Sequence, residues 1–254
     1  MSSYGLLGSN PSGGVQISAD YKSHSLWRSG YVTQGEFYNH GFMFACHTKK
    51  KVDITGLKGV VVFFGAESAL NRITTFTWSE GGRVYLDFSK WWNLALTAPV
   101  SFYIFAAWDN PSRDSYGMRM EKNGEVMYDT SWITMDVRKV IRIPENVPQF
   151  IPGSSAAMYT ASAGLPAGTY SVAVTSLRQY AYPVAGNGGR WLTAYAECVW
   201  LSGGSVNISF VPVPTPYGPV GGCGGVQESF WINHLINNLL IADISNLPIP
   251  FTGA

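Results

Sequence analysis

Short β-branched and aromatic runs, closed off by glycine, proline and Asx turns, constrain this chain more than any other feature. Ile73-Thr74-Thr75-Phe76-Thr77-Trp78 leads into Glu80-Gly81-Gly82, and Arg83-Val84-Tyr85-Leu86-Asp87-Phe88 then alternates apolar with polar. That period of two across a glycine turn predicts a β-hairpin. Val60 to Phe64 is an apolar run short enough for a buried strand, and Ser101 to Trp108 is another, ended by Asp109-Asn110-Pro111-Ser112. Val137–Ile143, Gly168–Leu177, Trp191–Leu201 and Ser205–Val211 read in the same way. Turns of this kind punctuate sandwiches and barrels. No amphipathic helix is expected before residue 225, so the chain reads as all-β, a β-sandwich or sandwiches of antiparallel strands.

Two β units are expected, residues 1–110 and 111–210, either separate or as one continuous sandwich. Alternating prolines from Val211 to Pro219 cannot donate to a ladder, so this stretch is expected outside a sheet centre. With Gly221-Gly222-Cys223-Gly224-Gly225 it makes a Pro/Gly linker over 211–225. Residues 226–254 form an apolar docking segment. Within it, Phe230, Trp231, Leu235 and Leu239 fall at roughly helical spacing among asparagines, which predicts a helix of about four turns over Val226–Ile241. Such a segment must dock on its own domain, on a sister subunit or on a partner. Its four named residues are candidates for an assembly arm. Deleting residues 212–254 is then expected to leave a folded domain that no longer oligomerises.

Charge narrows the function classes. Charged residues are 13% of the 254, about half the usual share, and the net charge is +1. That balance offers no footprint for nucleic acid. No apolar run reaches the length of a membrane span. Aromatics at 14% match the composition of interfaces, which are depleted in charge and rich in Tyr, Trp and Phe. Cys46, Cys198 and Cys223 are too scattered for a disulfide framework and read as buried thiols. The N-terminus has neither a basic nor an apolar leader region, which predicts a chain made and assembled in a cytoplasm.

Catalytic signatures are weak. His24, His40 and His47 are close in sequence but lack His-x-His or His-x₃-His spacing, so no metal is expected. Lys49-Lys50-Lys51 reads as a solvated loop. Gly-x-Ser-x-Gly and phosphate-loop motifs are missing. The carboxylate pairs one could nominate, Asp109 with Asp114 and Glu121 with Glu125, sit in ordinary turns. The chain is therefore read as no enzyme, with no cofactor. Recognition fits better, because aromatics in polar or glycine-rich loops stack on sugars or offer rigid contact area. Trp108, Tyr116, Tyr180, Tyr182, Arg190 and Trp191 are the candidates for receptor or glycan contact, those from Tyr180 to Trp191 on the most loop-like stretch.

A self-similarity about 111 residues apart adds a more specific signal. Tyr4-Gly5-Leu6-Leu7, followed by Ser12-Gly13-Gly14-Val15-Gln16-Ile17-Ser18-Ala19-Asp20-Tyr21, parallels Tyr116-Gly117-Met118-Arg119, followed by Asn123-Gly124-Glu125-Val126-Met127-Tyr128-Asp129-Thr130-Ser131-Trp132. Each reads as a hairpin opened by Tyr-Gly, with Gly13 or Gly124 at the turn. The pattern resembles small structural proteins of bacteriophage tails, in which a Tyr-Gly-Leu strand, a glycine turn and a Val-x-aromatic-Asp-Ser strand recur. The second copy matches better. The first has Ile17-Ser18-Ala19 where aromatic-Asp-Ser is expected, and the resemblance spans about 35 residues. It implies a virion component of the tail tip, baseplate or fibre, made in the host cytoplasm. Its partners would be other phage tail proteins, copies of itself (a trimer favoured) and a host cell-surface glycan or protein. The alternative is a stand-alone carbohydrate-binding sandwich; a glycan-degrading enzyme is the weaker third.

Overall fold

The computed structural model describes residues 5–10, 13–18, 22–39, 45–48, 51–91, 93–109, 116–144, 158–176, 178–186, 189–213, 230–233 and 237–253. For 5–18, 39, 45–47, 181–193 and 230–233 it describes the backbone alone. Within these residues the chain is all-β, with no α-helix. The first part carries β1 (Gly5–Asn10), β2 (Gly13–Ser18), β3 (Ser25–Val32), β4 (Phe37–Asn39), β5 (Ala45–Thr48), β6 (Val52–Asp53), β7 (Lys58–Gly65), β8 (Thr74–Glu80), β9 (Arg83–Trp91) and β10 (Val100–Ala107). Then follow β11 (Arg119–Lys122), β12 (Glu125–Asp129), β13 (Val137–Ile143), β14 (Tyr159–Ser162), β15 (Tyr170–Val174), β16 (Gln179–Gly186), β17 (Gly189–Ser202) and β18 (Ser205–Val213). The last are β19 (Phe230–Asn233), β20 (Asn237–Asp243) and β21 (Phe251–Thr252).

A seven-stranded antiparallel sheet in the order β13-β20-β15-β7-β10-β3-β21 is the backbone of the molecule. Two sheets cover one of its faces: β14-β18-β17-β16-β19, and β4-β5-β9-β6 with β8 on the other edge of β9. Alternation decides which side chains meet. Phe64, Phe102 and Ile104 pack against Leu86 and Phe88 of one sheet and Cys198, Trp200 and Val211 of the other. Phe88 sits 4.9 Å from Phe102, ring to ring. The intervening residues Phe63, Tyr103 and Phe105 face the opposite way, under Ile133, Met135, Leu247, Ile249 and Phe251. The central strands are thus buried on both faces, which is why Val60–Phe64 and Phe102–Ala106 read as unbroken apolar runs.

The β8–β9 hairpin forms as expected, Glu80 opposite Arg83 across Gly81-Gly82, both glycines at positive φ. The two similar segments are hairpins as well. β11–β12 turns through Asn123 and Gly124 at φ 53° and 81°, the left-handed pair of a two-residue hairpin loop. β1–β2 pairs Asn10 with Gly13. Gly13 therefore opens the second strand instead of occupying the turn, and residues 11 and 12 lie outside the described residues.

Of the two arrangements expected for the units 1–110 and 111–210, the described strands form the continuous one, since the large sheet draws β3, β7 and β10 from the first, β13 and β15 from the second, and β20 and β21 from the tail. Two expectations are corrected. The start of the linker belongs to a sheet: Val211, Pro212 and Val213 pair with Ala196, Tyr195 and Ala194 of β17. Pro212 is tolerated because β14 flanks β18 only up to Ile208. Residues 214–229 lie outside the described residues. The helix expected over Val226–Ile241 is strand where described: β19 pairs with β16, and β20 lies between β13 and β15. Leu239 and Ile241 face one core and Ala242 the other. A strand apolar on both faces has no alternation to distinguish it from a helix. Removing residues 212–254 would thus extract an interior strand, not an appendage.

Candidate recognition surface

Of the three candidate contact residues whose side chains are described, Trp108, Tyr116 and Tyr180, Tyr116 is the prominently displayed one, 91% exposed at the foot of the β11–β12 hairpin with Met118 beside it. Trp108 is half-buried just beyond β10. A Cβ on Gly253 would stand 2.6 Å from its ring, so that glycine admits the tryptophan over the chain's C-terminal end. Trp108 thus packs over Gly253. Tyr180 is half-buried on β16. Tyr182 pairs through its backbone with Thr193, Ala185 with Arg190 and Val184 with Trp191. This stretch was expected to be a loop; it is a continuous β16–β17 ladder from Gln179–Ala196 to Gly186–Gly189. Tyr and β-branched content carries such segments into strands.

The assembly-arm candidates divide. Phe230 and Trp231 are on β19, opposite Ala181 and Tyr180. Leu235 lies outside the described residues. Leu239 is fully buried in the chain's own core, so this part of the arm docks in cis.

The three nominated acids that are described are engaged with cations. Lys22 binds Asp109 and, at 3.0 Å, Glu125, while Glu121 stands 3.7 Å from Arg119. Asp114 lies outside the described residues. His24 Nε2 is 2.8 Å from the Gly59 carbonyl. His47 and Cys46 are placed by backbone on β5, opposite Ser89 and Lys90. His40, Lys49, Lys50 and Cys223 lie outside the described residues. Among the described residues no three His, Cys, Asp or Glu side chains converge as metal ligands. Burial pushes the Cys198 thiol up to about 12, so it is protonated and unreactive at neutral pH.

Among the described residues two concavities stand out. One, of about 310 Å³, lies where β7 and β15 part from β8 and β17, lined by Val60, Val62, Val174, Thr75, Thr77 and Glu197 among others. Beside it Arg178, Glu197 and Asn237 are all buried. Arg178 Nε donates to Glu197 Oε1 at 2.9 Å and Asn237 Nδ2 to Oε2 at 2.7 Å, joining the two sheets. The carboxylate's lone pairs are satisfied there, which makes this group a structural clasp.

The other is a cleft of about 400 Å³ at one end of the sandwich, between three loops. Glu67 comes from the loop after β7, Leu165 to Tyr170 from the loop before β15, and Ser202 with Gly203-Gly204 from the β17–β18 turn. Backbone bonds brace the loops: Leu201 N–H to Ala66 carbonyl at 2.9 Å, Ala163 N–H to Gly204 carbonyl at 2.9 Å, and Ile244 N–H to Thr169 carbonyl at 3.0 Å. Tyr170 lies across Gly168, where a Cβ would come within 2.8 Å of its hydroxyl. Sequence reading passed over these residues. Gly164-Leu165-Pro166-Ala167-Gly168 and Gly203-Gly204 mark loops, but nothing linear shows that the two meet at Glu67.

Comparison with known proteins gives a plain result. No family model, curated protein or solved structure matches this chain.

Proposed function

We propose that this chain is a structural subunit of a bacteriophage virion, in the tail tip, baseplate or fibre, which acts by assembly and host contact and not by catalysis. The β11–β12 hairpin carries the reading. It holds the better copy of the phage-tail motif, and its two strands form a sheet of their own among the described residues. Tyr116 and Met118 are 91% and 40% exposed at its start. Ser23 N–H ties the hairpin to the body through the Met127 carbonyl at 2.8 Å. A two-stranded ribbon is marginal alone, and an exposed edge with an apolar aromatic beside it suits strand addition or subunit contact. Low charge and abundant aromatics support the same reading.

The test is the solution mass of the full chain by light scattering, with Tyr116→Ser/Met118→Ser alongside. A defined trimer or hexamer that falls to smaller species in the double variant is expected. A monomer at high concentration that also fails to enter phage particles would overturn the reading.

A further inference from the structure

We propose that the cleft formed by Glu67, the 163–170 loop and the Ser202–Gly204 turn binds a neutral saccharide of one or two rings. This rests on the reading that the chain contacts a host surface, and it supplies the chemistry of that contact.

The lining selects the ligand class. Among the described residues Glu67 is the one charged residue lining the cleft, and it is an acid, which disfavours a phosphate, sulfate or carboxylate ligand; the Lys139 ammonium nearby is held by the Ser162 and Ala163 carbonyls. The remaining polar side chains, on Thr169, Tyr170 and Ser202, are neutral hydroxyls. Leu165, Pro166 and Leu201 add apolar surface beside the Tyr170 ring. A carboxylate with hydroxyls around an aromatic and aliphatic floor matches a sugar, which has many hydroxyl donors and one apolar face. A volume of about 400 Å³ suits a small ligand.

A peptide fits less well. Strand addition needs an unpaired edge, and the β17–β18 turn that forms one wall is closed on both sides where β18 begins, Ser205 pairing with both Ser202 and Ser162. The walls are also held before any ligand arrives. The bonds from Leu201, Ala163 and Ile244 fix all three loops to the body, so little ordering opposes binding.

The probes are methyl glycosides of glucose, galactose, mannose and N-acetylglucosamine, with lactose, maltose and chitobiose. Saturation-transfer NMR on the full-length protein reads binding at millimolar sugar. At least one probe is expected to receive saturation. Glu67→Ala is expected to weaken its affinity about tenfold, the cost of a charge-assisted hydrogen bond. Ala167→Trp, at an exposed position, fills the cleft and is expected to abolish transfer with an unchanged melting temperature. No transfer to any probe would overturn the inference, as would transfer unaltered in both variants. Oligomeric mass separates the two claims: an oligomer that binds no sugar rejects the saccharide and leaves the virion reading standing. A sugar-binding protein that neither oligomerises nor enters particles does the reverse.

Discussion

At the scale of residues, the polar groups inside this sandwich are the part that a linear reading could not see. Asp87 is the simplest. It is buried on β9, where its Oδ1 accepts from Thr48 Oγ1 and from Phe88 N–H. Burial holds its carboxyl above the usual range, against the opposing pull of those hydrogen bonds. A raised pKa in the folded state means that folding favours the protonated form. The associated stability is therefore full at low pH and declines as pH rises through the carboxylate range. Asp87→Asn keeps an Oδ1 acceptor and cannot ionise. It is expected to match the wild type at acidic pH and to exceed it at neutral pH, by about 1 kcal/mol. Urea denaturation at a series of pH values measures this, and parallel profiles would reject a charge-burial cost at Asp87. In the sequence Asp87 is merely the polar member of an alternating run. That Thr48 lies beside it follows from β5 and β9 pairing across some forty residues of chain. The same holds for Arg178, Glu197 and Asn237, and for the meeting of Glu67 with Tyr170 and Ser202 in the cleft.

At the scale of elements, strands bounded by glycine turns were legible and strands buried on both faces were less so. β8, β9 and β13 appear in the sequence nearly as they fold, because one face is wetter than the other or a turn fixes the register. β20 misleads because apolar Leu239, Leu240, Ile241 and Ala242 run together, with half of them facing each core. Its placement has a testable consequence. β20 carries ladders to β13 on one side and β15 on the other, five residues or more on each. Ending the chain after Asn233 would expose two ladders and open both cores, so no cooperatively folded protein is expected by circular dichroism and urea titration. The milder Leu239→Ala removes a fully buried side chain and is expected to cost about 2–5 kcal/mol. A truncated chain with wild-type stability would mean that β20 does not hold its place in the sheet.

At the scale of the whole molecule, the two halves of the chain meet in the large sheet at a narrow seam. β7 and β15 are joined in register only at Phe64 and Val172, whereas β7 and β10 match over most of their length. Taken alone, that seam would let the early strands β7-β10-β3 open apart from the late strands β13-β20-β15. The covering layer opposes this. Thr74 Oγ1 donates to the Glu197 carbonyl, Ser89 Oγ to Pro212 and Trp91 Nε1 to Phe210, each bond running from an early strand to a late one. The tail adds a strap: after β20, among the late strands, it crosses to pair Phe251 and Thr252 with Ser29 and Arg28 of β3. Halves interlocked in two layers should unfold together even though β7 and β15 share a single paired position in the large sheet. A single calorimetric transition is therefore expected for the full chain, with matching calorimetric and van't Hoff enthalpies. Neither 1–110 nor 111–254 is expected to fold when expressed alone. Deleting 251–254 removes the strap but leaves the cross-layer bonds, so it should lower the melting temperature without splitting the transition. Two transitions in the intact chain would place the weakest joint at the Phe64–Val172 seam and show that the cross-layer bonds do not couple the halves.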